Sequence, residues 1–303
     1  MTIKHIVFSG GGPAGVVFYG ALKELNKNKV WELKNIESIY ATSVGTFLAL
    51  ITILDYEWSW MDDFMIKRPW DKTFNIENTN YLLNIIDDKG IIGNDITSNI
   101  IKPLLLGRDL NENITLKELY EYRNIDLHIF TTNINSETYF EKIDISHKSH
   151  ADMTLIQAMT MSAAIPILFK AICNDNKCYI DGGILNNFPL NDCLNETQCN
   201  ENEILAFCSK YKFAVENITN DTSMLDYLIY LLSNIIFKLI SDNMKNQKEI
   251  NNILYCSFPK DIDNRNIWIE ILKDSNLRIK VINHGENIAK EFCIKSDSLN
   301  HTS

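Results

Sequence analysis

Apolar residues arrive along this chain in two rhythms, short unbroken runs and helical stripes, and the way they alternate predicts a mixed α/β architecture. Residues 3–8 read as a short buried strand, and Ser9 to Gly12 as a turn. From Pro13 to about Asn28 the sequence has helical periodicity, with Val16, Val17, Tyr19, Gly20, Leu22, Lys23 and Leu25 mixing a core stripe with polar positions. Pro13 suits the first helical turn, where its missing N–H costs nothing. Residues 36–40 predict a second strand, followed at once by a helix over 44–55. Two strand–turn–helix units in succession call for a parallel sheet with crossover helices.

The stretch 57–121 is mostly helical in pattern, with breaks near Pro69, Gly90, Pro103 and Gly107. Residues 127–133 and 137–143 predict a hairpin around a polar turn. A helix over 155–164 stops at Pro166, a strand ends at Asp181, and 204–207 form another strand. The last hundred residues read as mainly helical, with short strands near 254–258 and 267–272. Residues 224–240 form the most apolar long stretch, interrupted by Asp226, Ser233, Asn234 and Lys238. It falls short of the ~20 clean apolar residues that a membrane span needs. It reads as a buried amphipathic helix, the alternative being a helix that lies on a lipid surface. With no repeat and no low-complexity linker, one domain over 1–303 is the simplest organisation, its C-terminal part, 200–303, mainly helical.

Composition narrows the classes. The 303 residues are 46% hydrophobic and 22% charged, as in a soluble globular protein. A formal net charge of −10 argues against bulk attraction to nucleic acid or anionic lipid, so membrane contact has to be local and apolar. The N-terminal MTIKHIVFSGG lacks a long apolar signal region. Seven cysteines, none in C-x-x-C, read as reduced thiols of an intracellular chain. Cys173, Cys178, Cys193 and Cys199 cluster, but at spacings that match no standard zinc finger. The expectation is a cytoplasmic or intracellular protein, peripheral at membranes and without a transmembrane helix.

Three stretches carry chemistry. Gly10-Gly11-Gly12-Pro13-Ala14-Gly15 lies between strand and helix and leaves backbone N–H groups bare at a helix N-terminus. It fits the dinucleotide pattern G-x-G-x-x-G, but the second strand ends in Ala41-Thr42-Ser43 rather than in the acidic residue a ribose requires. The same loop works as an oxyanion hole built from Gly10, Gly11 and Gly12, joined by Val44. Ala41-Thr42-Ser43-Val44-Gly45 has the strand–serine–helix order of a nucleophile elbow, with Ala41 where the usual pattern has glycine. A serine that merely caps a helix is the plainer reading of that stretch alone. Asp181-Gly182-Gly183, at the end of a strand, is either a turn or a base for Ser43. His147 or His150 would complete a serine–histidine–aspartate triad instead.

Taken in order, these stretches resemble the patatin-like phospholipase family. The glycine loop Gly10 to Gly15, the elbow Ala41 to Gly45 and Asp181-Gly182 are similar to the family's motifs. So are IFTTNINSETYF, AMTMSAAIPILF and GGILNNFPL between and after them. The likeness covers about residues 3–192. It implies a three-layer α/β/α fold with a mostly parallel central sheet, and a lipid acyl hydrolase using Ser43 as nucleophile and Asp181 as general base. No histidine, metal or organic cofactor is needed by that scheme. The implied partner is a membrane or micellar lipid met by peripheral contact. Two departures stand out: Ala41 at the elbow, and Ala14 where the family usually has Lys or Arg. They keep open a catalytically weak or dead lipid-binding pseudoenzyme of the same fold. A hydrolase of non-lipid esters is the other alternative.

Overall fold

The computed structural model describes residues 2–74, 90–93, 95–174, 176–210, 218–260, 262 and 267–300. Its main sheet runs β10-β9-β1-β2-β4-β8-β7, with β5 also paired to β4. The strands are His5–Phe8 (β1), Ser38–Thr42 (β2), Asp126–Ser136 (β4), Tyr139–Ile145 (β5), Ile172–Asn174 (β7), Lys177–Asp181 (β8), Ile204–Ser209 (β9) and Ile253–Cys256 (β10). β10, β9, β1, β2 and β4 are parallel neighbours, while β5, β7 and β8 join antiparallel. Gly90–Ile92 (β3) pairs with Ile167–Phe169 (β6) in a separate two-stranded sheet.

Side-chain alternation explains the three layers. Ile6, Phe8, Ile39, Ala41, Leu205 and Phe207 pack into one core, and their sequence neighbours Val7, Tyr40, Ile204 and Ala206 into a second one on the opposite face. Helices Gly15–Lys27 (α1) and Val44–Leu54 (α2) cover the first face; Leu190–Thr197 covers the other. The chain is therefore an α/β protein whose central parallel strands β1, β2 and β9, buried on both sides, read as near-continuous apolar runs.

The C-terminal helix Ser275–Asn300 lies directly on α1. A β-carbon on Gly20 would come within 2.1 Å of the Ile282 carbonyl oxygen, and one on Gly285 within 2.1 Å of that of Val17. Beside this backbone contact, the buried Lys23 ammonium pairs with Asp62 and Glu286, each at 2.8 Å. Arg278 of the same helix donates to the carbonyls of Ile66 and Arg68 and to those of Ile271 and Leu272. It thereby caps the C-terminal ends of two helices, Trp58–Lys67 and Ile267–Lys273.

Several expectations are corrected. Residues 267–272 are helical, because Ile267 and Ile271 are the buried pair and stand four apart. Pro103 does not break its helix, Asp95–Leu106, and Gly90 opens a strand. The apolar stretch from Met224 extends as a helix to Met244, and none of its residues with described burial is buried. Cys173 and Cys178 stand opposite each other in the β7–β8 pair and form a disulfide, so these two are not reduced thiols and are not available to a zinc site with Cys193 and Cys199. The expected helical pattern over 75–89 lies outside the described residues.

Charge gathers where β4 begins. His128 is buried, with Nδ1 2.8 Å from Asp144 Oδ2 and Nε2 3.4 Å from Asp126 Oδ2. Glu196 and Lys148 join the cluster, and Tyr40 stacks on the imidazole. Burial opposes the charged ring, but Asp126 and Asp144 outweigh it and raise its pKa to about 9. The fold thus favours protonated His128. That stabilisation is complete below about pH 6.5 and disappears as pH rises through about 9. Urea unfolding of wild type and His128→Gln is expected to show a gap on the order of 2–3 kcal/mol near neutrality that closes by pH 10. A gap independent of pH would contradict this reading.

Candidate active site

β2 ends at Thr42, and the chain turns into α2 through Ser43. Ser43 adopts φ 55° and ψ −127°, a conformation that costs an L-residue about 1–3 kcal/mol. Four bonds fix the turn. The Ser43 amide donates to Ser162 Oγ at 2.9 Å, and Ser162 Oγ donates to the Phe130 carbonyl of β4 at 2.6 Å. The Ser43 carbonyl accepts from the Thr46 amide at 2.9 Å and from Thr46 Oγ1 at 2.7 Å. Ser162 closes the helix Leu155–Ser162, which Thr154 and Gln157 cap at its start.

The space needed for this turn lies at Gly45. A β-carbon there would come 2.8 Å from both Cβ and the carbonyl oxygen of Phe8. Ala41, by contrast, is an ordinary buried strand residue paired with Phe8 and Ile129, and its φ is not positive. The elbow alanine therefore carries no strain, which falls on Ser43 itself.

Asp181 arrives from the far side. β8 runs antiparallel to β4 and pairs Asp181 with Thr131, one position beyond the Thr42–Phe130 match of β2 with β4. Register alone thus brings the strand-end carboxylate level with the elbow. The Asp181 Oδ1 accepts the Gly183 amide at 2.6 Å, whereas Oδ2 is buried without a hydrogen-bond partner of full geometry. Burial pushes the carboxyl pKa up to about 6, against the smaller opposing pull of the Ser43 hydroxyl and the Gly183 amide. Gly182 lets β8 approach β4: its β-carbon would lie 2.1 Å from the Phe130 carbonyl oxygen.

The glycine loop borders the same space. Gly10, Gly11, Gly12, Ser43 and Asp181 line one cavity of about 690 Å³, with Asn187, Ser209, Lys210 and Phe237. The Gly10 amide is already bound, donating to the Asn187 carbonyl at 2.9 Å, so it is not available as an oxyanion donor. The amides of Gly11, Gly12 and Val44 take no hydrogen-bond partner among the described residues. Ala14 is fully buried and brings no charge to the loop, and Gly15 opens α1.

A second cavity, of about 190 Å³, meets the first at Gly12, Ser43 and Ile165. Its walls are almost wholly apolar, including Val16, Phe47, Trp70, Ile100, Met159 and Trp268. Met65, at the C-terminal end of the helix Trp58–Lys67, also lines it. The Trp268 indole N–H is buried without a partner among the described residues, and its ring covers the face of Gly12.

The histidines lie elsewhere. His5 meets Ser38 at 2.8 Å, at the opposite end of β2 from Ser43. His147 faces Asp126 at 3.0 Å, and His150 contacts Ser149. Asp126 is five strand positions, about 16 Å, from Thr131, which pairs with Asp181. This placement argues against His147 in a triad, and neither His147 nor His150 lines the cavity that Ser43 and Asp181 share; His301 lies outside the described residues. Sequence reading missed Ser162, Thr46 and Asn187. Ser162 does stand within AMTMSAAIPILF, but a hydroxyl acting 119 residues away leaves no local signal.

A family model described as patatin-like phospholipase matches residues 6–194, more than half of the chain. A probable lipid hydrolase, 463L, of invertebrate iridescent virus 6 is 29% identical over 189 residues, 62% of each chain. The uncharacterized protein R571 of Acanthamoeba polyphaga mimivirus is 26% identical over 190 residues, 62% of this chain and 60% of its own. The chain thus spans about three-fifths of the length of these curated relatives. Among solved structures, VipD from Legionella pneumophila aligns over 93% of this chain and 67% of its own, at 15% identity and a TM-score of 0.48. With glycine loop, elbow and Asp-Gly turn all inside the matched residues, the chain belongs to the patatin-like phospholipase family.

Proposed function

We propose that this protein is a lipid acyl hydrolase that cleaves fatty-acyl esters through a Ser43–Asp181 dyad. The observation that carries this reading is a strained serine and a buried, under-bonded carboxylate sharing one cavity that opens into an apolar slot. Ser43 Oγ attacks the ester carbonyl carbon and its proton passes to Asp181 Oδ2. Negative charge on the carbonyl oxygen is met by the amides of Gly11, Gly12 and Val44, the last at the positive end of α2. The C–O bond to the alcohol breaks, and the alcohol leaves with the proton from Asp181. Water then attacks the acyl-serine, gives a proton to Asp181, and the fatty acid departs as Ser43 recovers it.

A carboxylate near its usual value would be a poor base, and burial is what makes Asp181 serviceable. The apolar slot beside Ser43 suits the acyl chain, and the wider cavity suits the polar remainder of the lipid. Family membership favours ester hydrolysis over nucleotide binding for the glycine loop.

Three outcomes are expected. Fatty-acid release from mixed micelles should fall at least about a thousandfold in Ser43→Ala and in Asp181→Asn, with both variants folded by circular dichroism; full activity in either sinks the dyad. Asp181 must be ionised to act, so kcat/KM should fall about tenfold per pH unit below about 6 and level off above it. Finally, a carboxyl whose folded pKa exceeds its unfolded value weakens the fold as pH rises through that interval. Asp181→Asn should therefore raise stability by about 1–3 kcal/mol at pH 8 and much less at pH 4, read by thermal unfolding. Loss of stability in that variant at pH 8 would assign Asp181 a structural role.

A further inference from the structure

The helix Met224–Met244 has two faces with different surroundings. On its inner side Asn234, Phe237, Ser241 and Met244 wall the cavity that holds Ser43 and Asp181. Asn243 Nδ2 donates to the Ile184 carbonyl at 2.6 Å, which ties the helix to the turn after Asp181. On its outer side Met224, Tyr227, Leu228, Leu231, Leu232 and Ile235 form a stripe at helical spacing, each 39–73% exposed. Three turns of helix, about 16 Å long, thus present large apolar side chains outward. Solvated helices place charge on that face, and a contiguous apolar stripe of this kind marks an interaction surface.

We infer that this stripe docks the protein on the surface of a zwitterionic or neutral lipid assembly, through the outer face of the helix that walls the catalytic cavity. The inference rests on the lipid-hydrolase reading for its choice of occupant, because the stripe and the dyad lie on opposite sides of one helix. Charge points the same way. Residues 227–237 contain no charged side chain, and Asp226, Lys238 and Asp242 of the helix are balanced to zero only when its C-cap, Lys245, is included. With a net charge of −10 on the chain, anionic headgroups would repel rather than recruit it. The helix is amphipathic and lies in the plane of the interface; no described helix is long and apolar enough to cross a membrane.

The test uses vesicles of diether phosphatidylcholine, which have no ester to cleave, with the Leu228→Ser/Leu232→Ser/Ile235→Ser variant beside wild type. Wild type should co-sediment with these vesicles, and the variant should bind at least tenfold more weakly. Both should hydrolyse a short soluble ester at equal rates, which shows that the variant is folded. Adding one-fifth phosphatidylserine should leave wild-type binding unchanged or weaker. Equal binding by both proteins, or wild-type binding that appears only with the anionic lipid, overturns the inference. A stripe that instead holds two copies together, with light scattering showing a dimer in wild type and a monomer in the variant while vesicle binding is unchanged, also overturns it. Loss of soluble-ester hydrolysis in wild type alongside intact vesicle binding would count against the dyad and leave the docking surface standing.

Discussion

Between Thr42 and Val44 a strand buried on both faces must become a buried helix in the space of one residue, and Ser43 absorbs the whole turn in a conformation of positive φ. Much of the surrounding structure bears on that constraint. Phe130 on β4 anchors Ser162, Ser162 holds the Ser43 amide, and Thr46 holds its carbonyl. Gly45 allows α2 to begin hard against β1. Two of the five elements involved come from beyond residue 120, so the elbow is assembled by the sheet rather than by its own loop. Strain held in this way leaves the hydroxyl displayed at a helix N-terminus, facing the cavity.

The two ends of the sheet handle charge in opposite ways. Where β4 begins, a buried histidine is surrounded by carboxylates and a lysine, and the fold gains from its ionisation. Beside Thr131, five positions further on, Asp181 is buried, and that burial outweighs its bonds to Ser43 and Gly183, so its ionisation costs stability. A group left uncompensated beside a serine is the pattern expected when stability is traded for reactivity.

Much of this was legible in the sequence, for identifiable reasons. The parallel strands show as apolar runs because both their faces are buried, and the glycine loop, Ser43 and Asp181 sit at strand ends that those runs mark. Periodicity also found the helix that starts at Met224, but a stripe does not say whether the apolar side meets a core or the outside; here it faces out. Residues 267–272 misled because a short apolar run suits strand and helix equally, and the four-residue step from Ile267 to Ile271 decides it only once burial is known. Gly10 was grouped with Gly11 and Gly12 by composition, yet its amide is bound to Asn187. Such pairings depend on tertiary register, as does the meeting of Cys173 with Cys178.

The central claim is that Ser43 is made nucleophilic by Asp181. Its most direct test is covalent capture by a fluorophosphonate, with the adduct mapped by peptide mass spectrometry in wild type and Asp181→Asn. The account predicts a single modified residue, Ser43, in wild type, and labelling slowed by at least two orders of magnitude in Asp181→Asn. An adduct on another residue, or equal rates in the two proteins, would contradict it.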